Sequence, residues 1–183
     1  RRIVVKVGTS TLTYETGKIN FQIIDKIACQ IANLMNQGRE VILVTSAAIS
    51  VGVSKFGLAQ KPESVPEKQA MAAVGQGILM QYYEKFFSEY GQIVAQVLLT
   101  KEDVIDRKKY LNIRNTLFTL LKYRVVPIIN ENDTVAVDEI KFGDNDTLSA
   151  LVASVVEADL LIILSDIDGL FTADPKTDPQ AKL

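Results

Sequence analysis

The chain has 183 residues, 48% of them hydrophobic and 23% charged, with 20 basic against 22 acidic side chains and a formal net charge of -2. That length suits one domain with a core of ordinary size, and charges spread this evenly exclude a basic nucleic-acid surface. No apolar stretch reaches the ~18 residues of a membrane span, and with no histidine and one cysteine, Cys29, an internal disulfide, a structural zinc site and any Ser-His-Asp or Cys-His mechanism are excluded.

The expectation is a cytoplasmic protein in which Cys29 is a buried, inert thiol. "IVVKV" (3–7) predicts a strand, followed by the turn Gly8-Thr9-Ser10. Residues 21–37 place Ile24, Ile27, Ala28, Ile31, Leu34 and Met35 on one helical face, with Asn20 positioned to cap the helix and Gly38 to end it. "VILVT" (41–45) predicts a second strand. Residues 66–91 predict a long helix, with Pro66 near its start and Gly91 at its end. A third strand is expected at 93–100, a helix at 107–123, and a fourth strand at 125–129 despite Pro127. Residues 134–142 alternate as a small hairpin does, 146–158 predict a helix and 160–165 a fifth strand. Apolar strands alternating with helices imply an α/β fold, a three-layer sandwich around a mostly parallel central sheet. With no repeat or linker, residues 1–183 read as one domain.

In such sheets ligands bind beyond the carboxyl ends of the strands, and small polar residues recur there. Gly8-Thr9-Ser10 follows strand one, Thr45-Ser46-Ala47-Ala48 strand two, Asn130-Glu131-Asn132-Asp133 strand four, and Ser165-Asp166-Ile167-Asp168-Gly169 strand five. Lys6 is the one charge in an apolar strand. Either that strand lies at an edge with Lys6 facing water, or its ammonium is aimed at phosphate oxygens beside the Gly8 turn. The phosphate-loop pattern fails, since Gly52 and Gly57 have its spacing but Leu58 follows, and Gly75-Gln76-Gly77 lacks the third glycine of a dinucleotide fingerprint. Small-residue turns leading into helices serve instead, at 46–52 and 143–150, where free N–H groups favour anions. Asp144-Asn145-Asp146 has two readings, a helix cap or part of a site. Together with Asn130, Asn132 and Asp133 it suggests an amino acid ligand, because carboxylates recognise ammonium groups.

Several stretches, "VVKVGTSTLT", "VTSAAISVG", "AAVGQ", "PIINENDTV", "FGDNDTLSALVA" and "LSDIDGLFTADP", appear in that order. They resemble the amino acid kinase family, its glutamate-phosphorylating branch above all, from Ile3 to about Lys182. Aspartokinases and uridylate kinases differ at "GDND". The resemblance implies phosphoryl transfer from ATP, with Mg²⁺, to the γ-carboxylate of L-glutamate, the first step of proline biosynthesis. It also implies feedback inhibition by proline and a homo-oligomer. By similarity, Ser46, Asp133 and Asn145 bind glutamate, Lys6 binds the ATP phosphates and stabilises the transition state, Asp146 organises the catalytic lysines, and Ser165 and Asp166 contact the nucleotide. The alternatives are a kinase of another small acid, aspartate or N-acetylglutamate, and a non-catalytic amino-acid-binding domain. Ala47 stands where the family usually has glycine, and Ser165 where threonine is commoner. The family's second lysine lies in a Gly-rich segment that follows the position of Leu183. The expectation is therefore a domain lacking the C-terminal part of its ATP-binding region.

Overall fold

A computed structural model of the chain describes residues 1–58, 60, 62–136, 145–166, 169, 171–173, 177–178 and 180–183. In chain order its elements are β1 (Arg2–Val7), α1 (Thr9–Leu12), α2 (Phe21–Asn36), β2 (Glu40–Val44), α3 (Ala48–Phe56), α4 (Val65–Glu89), β3 (Val94–Leu99), α5 (Lys101–Ile105), α6 (Arg107–Lys122), β4 (Val126–Glu131), α7 (Asp146–Val155) and β5 (Leu160–Leu164). The strands form one sheet in the order β3-β4-β2-β1-β5, with every neighbouring pair parallel. The α/β architecture expected from the apolar runs is the one the chain adopts.

Side chains alternate across a sheet, and here each face has its own helical layer. Ile3, Val5 and Val7 of β1, Val41 and Leu43 of β2, and Val126 and Ile128 of β4 pack with Ile24, Ile27 and Ile31 of α2 and Leu79, Tyr83 and Phe87 of α4. Val4, Ile42, Val44 and Ile129 face the other way, against Val104 of α5, Leu117 and Leu121 of α6, and Leu148, Val152 and Val155 of α7. Each such side chain contributes roughly 1.5–3 kcal/mol when fully buried. Covering both faces is why the central strands read as unbroken apolar runs rather than alternating ones.

The expected helix signals operate. Asn20 caps α2 by accepting from the Ile23 N–H, and Gly38 follows its end at φ +81°. Pro66, expected near the start of α4, lies in its first turn, and Ser64, which the sequence reading did not name, caps the helix by accepting from the Glu67 N–H. A capping box of Thr100 and Asp103 starts α5, a short helix whose T-x-x-D signature the periodicity reading passed over. Pro127 is tolerated inside the sheet for a local reason. The Val126 N–H and the Ile129 carbonyl bond to β3 and β2 sides respectively, so the missing N–H of Pro127 falls on the β2 side. There the β2–β4 ladder pairs only Leu43 with Ile128 and Val44 with Ile129.

The glycines that fit no phosphate loop have a packing role. A Cβ on Gly52 of α3 would lie 2.1 Å from the Met71 carbonyl oxygen, and one on Gly75 of α4 would lie 1.8 Å from the Ala48 carbonyl oxygen. Two glycines facing across the crossing let α3 and α4 touch backbone to backbone. Cys29 is half-buried rather than buried, at the margin of the apolar face of α2, and the Asn33 amide approaches its Sγ at 3.8 Å. Of the hairpin expected at 134–142, residues 137–142 lie outside the described residues; Val135 and Ala136 begin with a turn onto the Asn132 carbonyl. No helix among the described residues is long and apolar enough to cross a membrane.

Candidate active site

Lys6 does not face water at an edge. β1 lies between β2 and β5, and alternation turns Lys6 toward the layer that holds α7. The residue is 8% exposed. Its Nζ meets Asp146 Oδ1, in the first turn of α7, at 2.5 Å. The Asp146 side chain is 44% exposed, so the pair forms a floor that a ligand can reach. An ammonium carries three N–H donors, so one such group can meet more than one anion.

Asn145 settles the cap question. It occupies the N-cap position of α7, yet its side chain makes no capping bond. Its Nδ2 donates instead to the Thr45 carbonyl at 2.6 Å and to Asn130 Oδ1 at 2.8 Å, with Ser46 Oγ at 3.2 Å. Thus the carboxyl ends of β2 and β4 and the start of α7, distant in sequence, are joined through one buried amide. Asp144 lies outside the described residues.

Two hollows meet at this edge of the sheet and share Thr9, Ser46 and Ser50 as a common wall. The smaller, about 100 Å³, is lined by the first turn of α3 together with Asn130, Glu131, Asp133 and Asn145. The larger, about 830 Å³, is a cleft lined by Lys6, Gly8, Ser10, Asp146, Ser165 and Asp166 among others. Lys6, Ser46, Asp133, Asn145, Asp146, Ser165 and Asp166, to which the resemblance gives roles, each line one of the two hollows, and Ser46 lines both. Asn132, part of the expected polar cluster, turns away to accept from the Thr134 hydroxyl at 2.6 Å. Ile167 and Asp168 lie outside the described residues.

Ala47 is held at φ 80° and ψ 4° as the residue preceding α3. That is the left-handed region, which costs an L-residue roughly 1–2 kcal/mol and which glycine enters freely. The glycine expected at this position from the resemblance thus has a physical reason. Behind the turn, the Thr45 hydroxyl and the Tyr83 hydroxyl are 2.6 Å apart. Tyr83 is fully buried, and burial pushes its phenol well above the usual range, so it stays neutral. The sequence reading did not name Tyr83, and it met Glu131 and Gln76 only within motifs, with no role of their own. A polar tip on an otherwise apolar helical face, as at Tyr83, was the available signal.

The model of the amino acid kinase family matches residues 1–183. This chain belongs to the amino acid kinase family. Among curated proteins it is 66% identical over 182 residues to a protein named glutamate 5-kinase from Thermoanaerobacter sp. (strain X514), matching 100% of this chain and 49% of the relative. Similarity to a glutamate 5-kinase from Moorella thermoacetica is 59% over 183 residues, covering 100% of this chain and 48% of that one. For a glutamate 5-kinase from Clostridium acetobutylicum it is 57% over 182 residues, covering 100% and 68%. The chain thus spans about half the length of the first two relatives. Family membership accounts for the parallel sheet covered by helices.

Proposed function

We propose that the protein containing these residues transfers the γ-phosphoryl group of ATP to the γ-carboxylate of L-glutamate, the entry step to proline. The observation that carries this reading is the pair of hollows divided by Ser46. A buried ammonium, Lys6, stands on one side, and Asn145 and Asp133 stand on the other. The relatives' names support glutamate as the acceptor.

In this reading the smaller hollow takes the amino acid. Asp133 meets its α-ammonium, and Asn145 and Ser46 supply polar contacts. The cleft takes the nucleotide, with Ser165 and Asp166 at its rim and Lys6 against the phosphates. The acceptor has a reference pKa near 4.3 and is ionised at neutral pH, so no general base is needed. A carboxylate oxygen attacks the γ-phosphorus, the bond to the β–γ bridging oxygen breaks, and ADP leaves with the electron pair. The protein's part is to align the two groups and neutralise the moving oxygens. Lys6 supplies positive charge, and Asp146 fixes where that charge sits. Among the described residues no group of three or more carboxylate, cysteine or histidine side chains is placed to hold a metal ion. Mg²⁺ enters this reading as the partner of the nucleotide's phosphates, and no protein ligand is assigned to it. A cytoplasmic homo-oligomer inhibited by proline belongs to the same reading, as does residues 1–183 forming one domain that shares its nucleotide site with a later segment.

Hydroxylamine traps an acyl phosphate as a hydroxamate. The full-length protein with Mg-ATP is expected to give hydroxamate with L-glutamate and far less with aspartate or N-acetylglutamate. Preference for either competitor would reassign the acceptor, and no acid-dependent product with any of them would leave a binding domain.

A further inference from the structure

We infer that Gln76, on α4, is a positioning residue that, through Asn130, holds Asn145 where it offers its side-chain oxygen to the amino acid in the smaller hollow. This rests on the proposed acceptor site. It goes beyond that site because Gln76 lines neither hollow.

The argument is one of hydrogen-bond polarity. A side-chain amide can be turned end for end, and both ends fit the same space. In this network two backbone groups remove the ambiguity. The Thr45 carbonyl can only accept, so the group of Asn145 that faces it at 2.6 Å is the NH₂. The Glu131 N–H can only donate, so the group of Asn130 that faces it at 2.9 Å is the carbonyl oxygen. That oxygen also takes the second hydrogen of Asn145 at 2.8 Å. Both hydrogens of Asn145 are then committed to its two short contacts, and its Oδ1 is what it has left for a ligand. An acceptor suits an ammonium group, not a carboxylate.

Asn130 must keep this orientation for the pattern to hold, and it is 2% exposed. Its NH₂ donates to Gln76 Oε1 at 2.8 Å, and the Gln76 NH₂ donates to Gln96 Oε1, on β3, at 2.9 Å. Gln76 thus supplies the acceptor that completes the Asn130 amide. Without it, a buried NH₂ loses its partner, and Asn130 can relieve that only by shifting away from the Glu131 N–H and the Asn145 NH₂ that it accepts from, which loosens Asn145. Gln96 is exposed, so water can replace it. The chain of amides has a required inner link and a dispensable outer one.

The test uses the full-length protein. Gln76→Leu keeps the volume and removes the acceptor, Gln76→Glu keeps the acceptor, and Gln96→Leu cuts the outer link. The expected result is a KM for glutamate raised on the order of tenfold in Gln76→Leu, with the KM for ATP and the melting temperature close to the parent. Gln76→Glu and Gln96→Leu should stay near the parent in all three. Equal KM values in Gln76→Leu and the parent, or failure of Gln76→Glu to rescue, would overturn the role. A second readout needs neither turnover nor a variant. With ¹⁵N-asparagine label, the Asn130 and Asn145 side-chain amide protons should exchange slowly with water in the ligand-free parent, and rapid exchange sinks the inference even if Gln76→Leu does not fold. Should the parent show no glutamate turnover at all, the proposed acceptor fails, while the exchange experiment still judges the amide chain.

Discussion

Lys6 illustrates how a single residue is read through its partners. An ammonium only 8% exposed survives in a strand because Asp146 stands 2.5 Å away. If the cation serves the moving phosphoryl group, Lys6→Ala should lower kcat by about 10²–10³ while glutamate affinity changes little, since loss of an electrostatic stabiliser acts on the transition state. Steady-state kinetics and calorimetric titration of glutamate, run separately, check this; a near-normal kcat removes Lys6 from the mechanism. Ala47 makes the opposite kind of case, a side chain that the backbone would be better without. At φ 80° the methyl group is strained by roughly 1–2 kcal/mol, and glycine returns part of that relief as extra freedom in the unfolded chain. Ala47→Gly is expected to raise stability by about 0.5–1 kcal/mol, read as a shift of a few degrees in thermal unfolding. A lower melting temperature would mean that the left-handed turn is not strained.

At the scale of elements, α4 is the support on which the site rests. Gly75 lies under the Ala48 carbonyl, Gln76 holds Asn130, and Tyr83 holds Thr45. The helix also contains a built-in control. Gly75→Ala puts a methyl carbon into backbone and should destabilise by about 3 kcal/mol or more while pushing the start of α3, and with it Ser46, out of place. Gly77 has nothing within 4 Å of an added Cβ. Gly77→Ala should therefore stabilise the helix by roughly 0.5–1 kcal/mol. Chemical denaturation of the pair decides; destabilisation by both would show that helix α4 is constrained at Gly77 too. Tyr83 gives a pH signature. Its folded-state pKa is raised by burial, so above the ordinary value near 10 the unfolded chain loses the proton while the folded chain keeps it. The stabilising contribution is thus complete below pH ~10 and is lost as pH rises beyond it, by up to ~1.4 kcal/mol per unit. Tyr90 acts in the same direction, its phenol pushed up to about 12 by donating to the Asp25 carboxylate. Tyr83→Phe should flatten the alkaline fall in stability, and an unchanged slope between pH 9 and 11 would count against a neutral buried phenol.

Across the whole molecule, burial is graded along the sheet. The residues of β4 are all buried and those of β1 and β2 nearly so, whereas β3 is half-exposed and β5 carries Leu160 and Ile163 at 51% and 44% exposure. Amides that open only with the whole core exchange most slowly. Hydrogen exchange followed by mass spectrometry should find β1, β2 and β4 the slowest segments and β3 faster, and, if the proposed acceptor site holds, glutamate should slow the segments after β2 and β4 before it affects the rest. Uniform protection across all five strands would contradict the gradient.

Much of this was legible in one dimension because it depends on local chemistry. The 3.6-residue spacing from Ile24 to Met35, the cap Asn20, and the apolar runs of β1, β2 and β4 state elements and fold class directly. The polar residues after the strands also announced a shared polar edge, since a parallel sheet brings those ends together whatever the loops between them do. The short helices α1 and α5 were passed over because four or five residues show no period. What only the tertiary structure decided is where each polar atom points. Sequence spacing left Lys6 either at a wet edge or in a site, and the strand order β2-β1-β5 closed the first possibility. It left Asn145 as a cap or a ligand group, and the Thr45 carbonyl, 100 positions away in the chain, claimed its amide. Gln76, met in the sequence only within "AAVGQ" and Gly75-Gln76-Gly77, had no assigned role there for the same physical reason: an amide takes its direction from donors and acceptors that arrive only when α4, β3 and β4 pack.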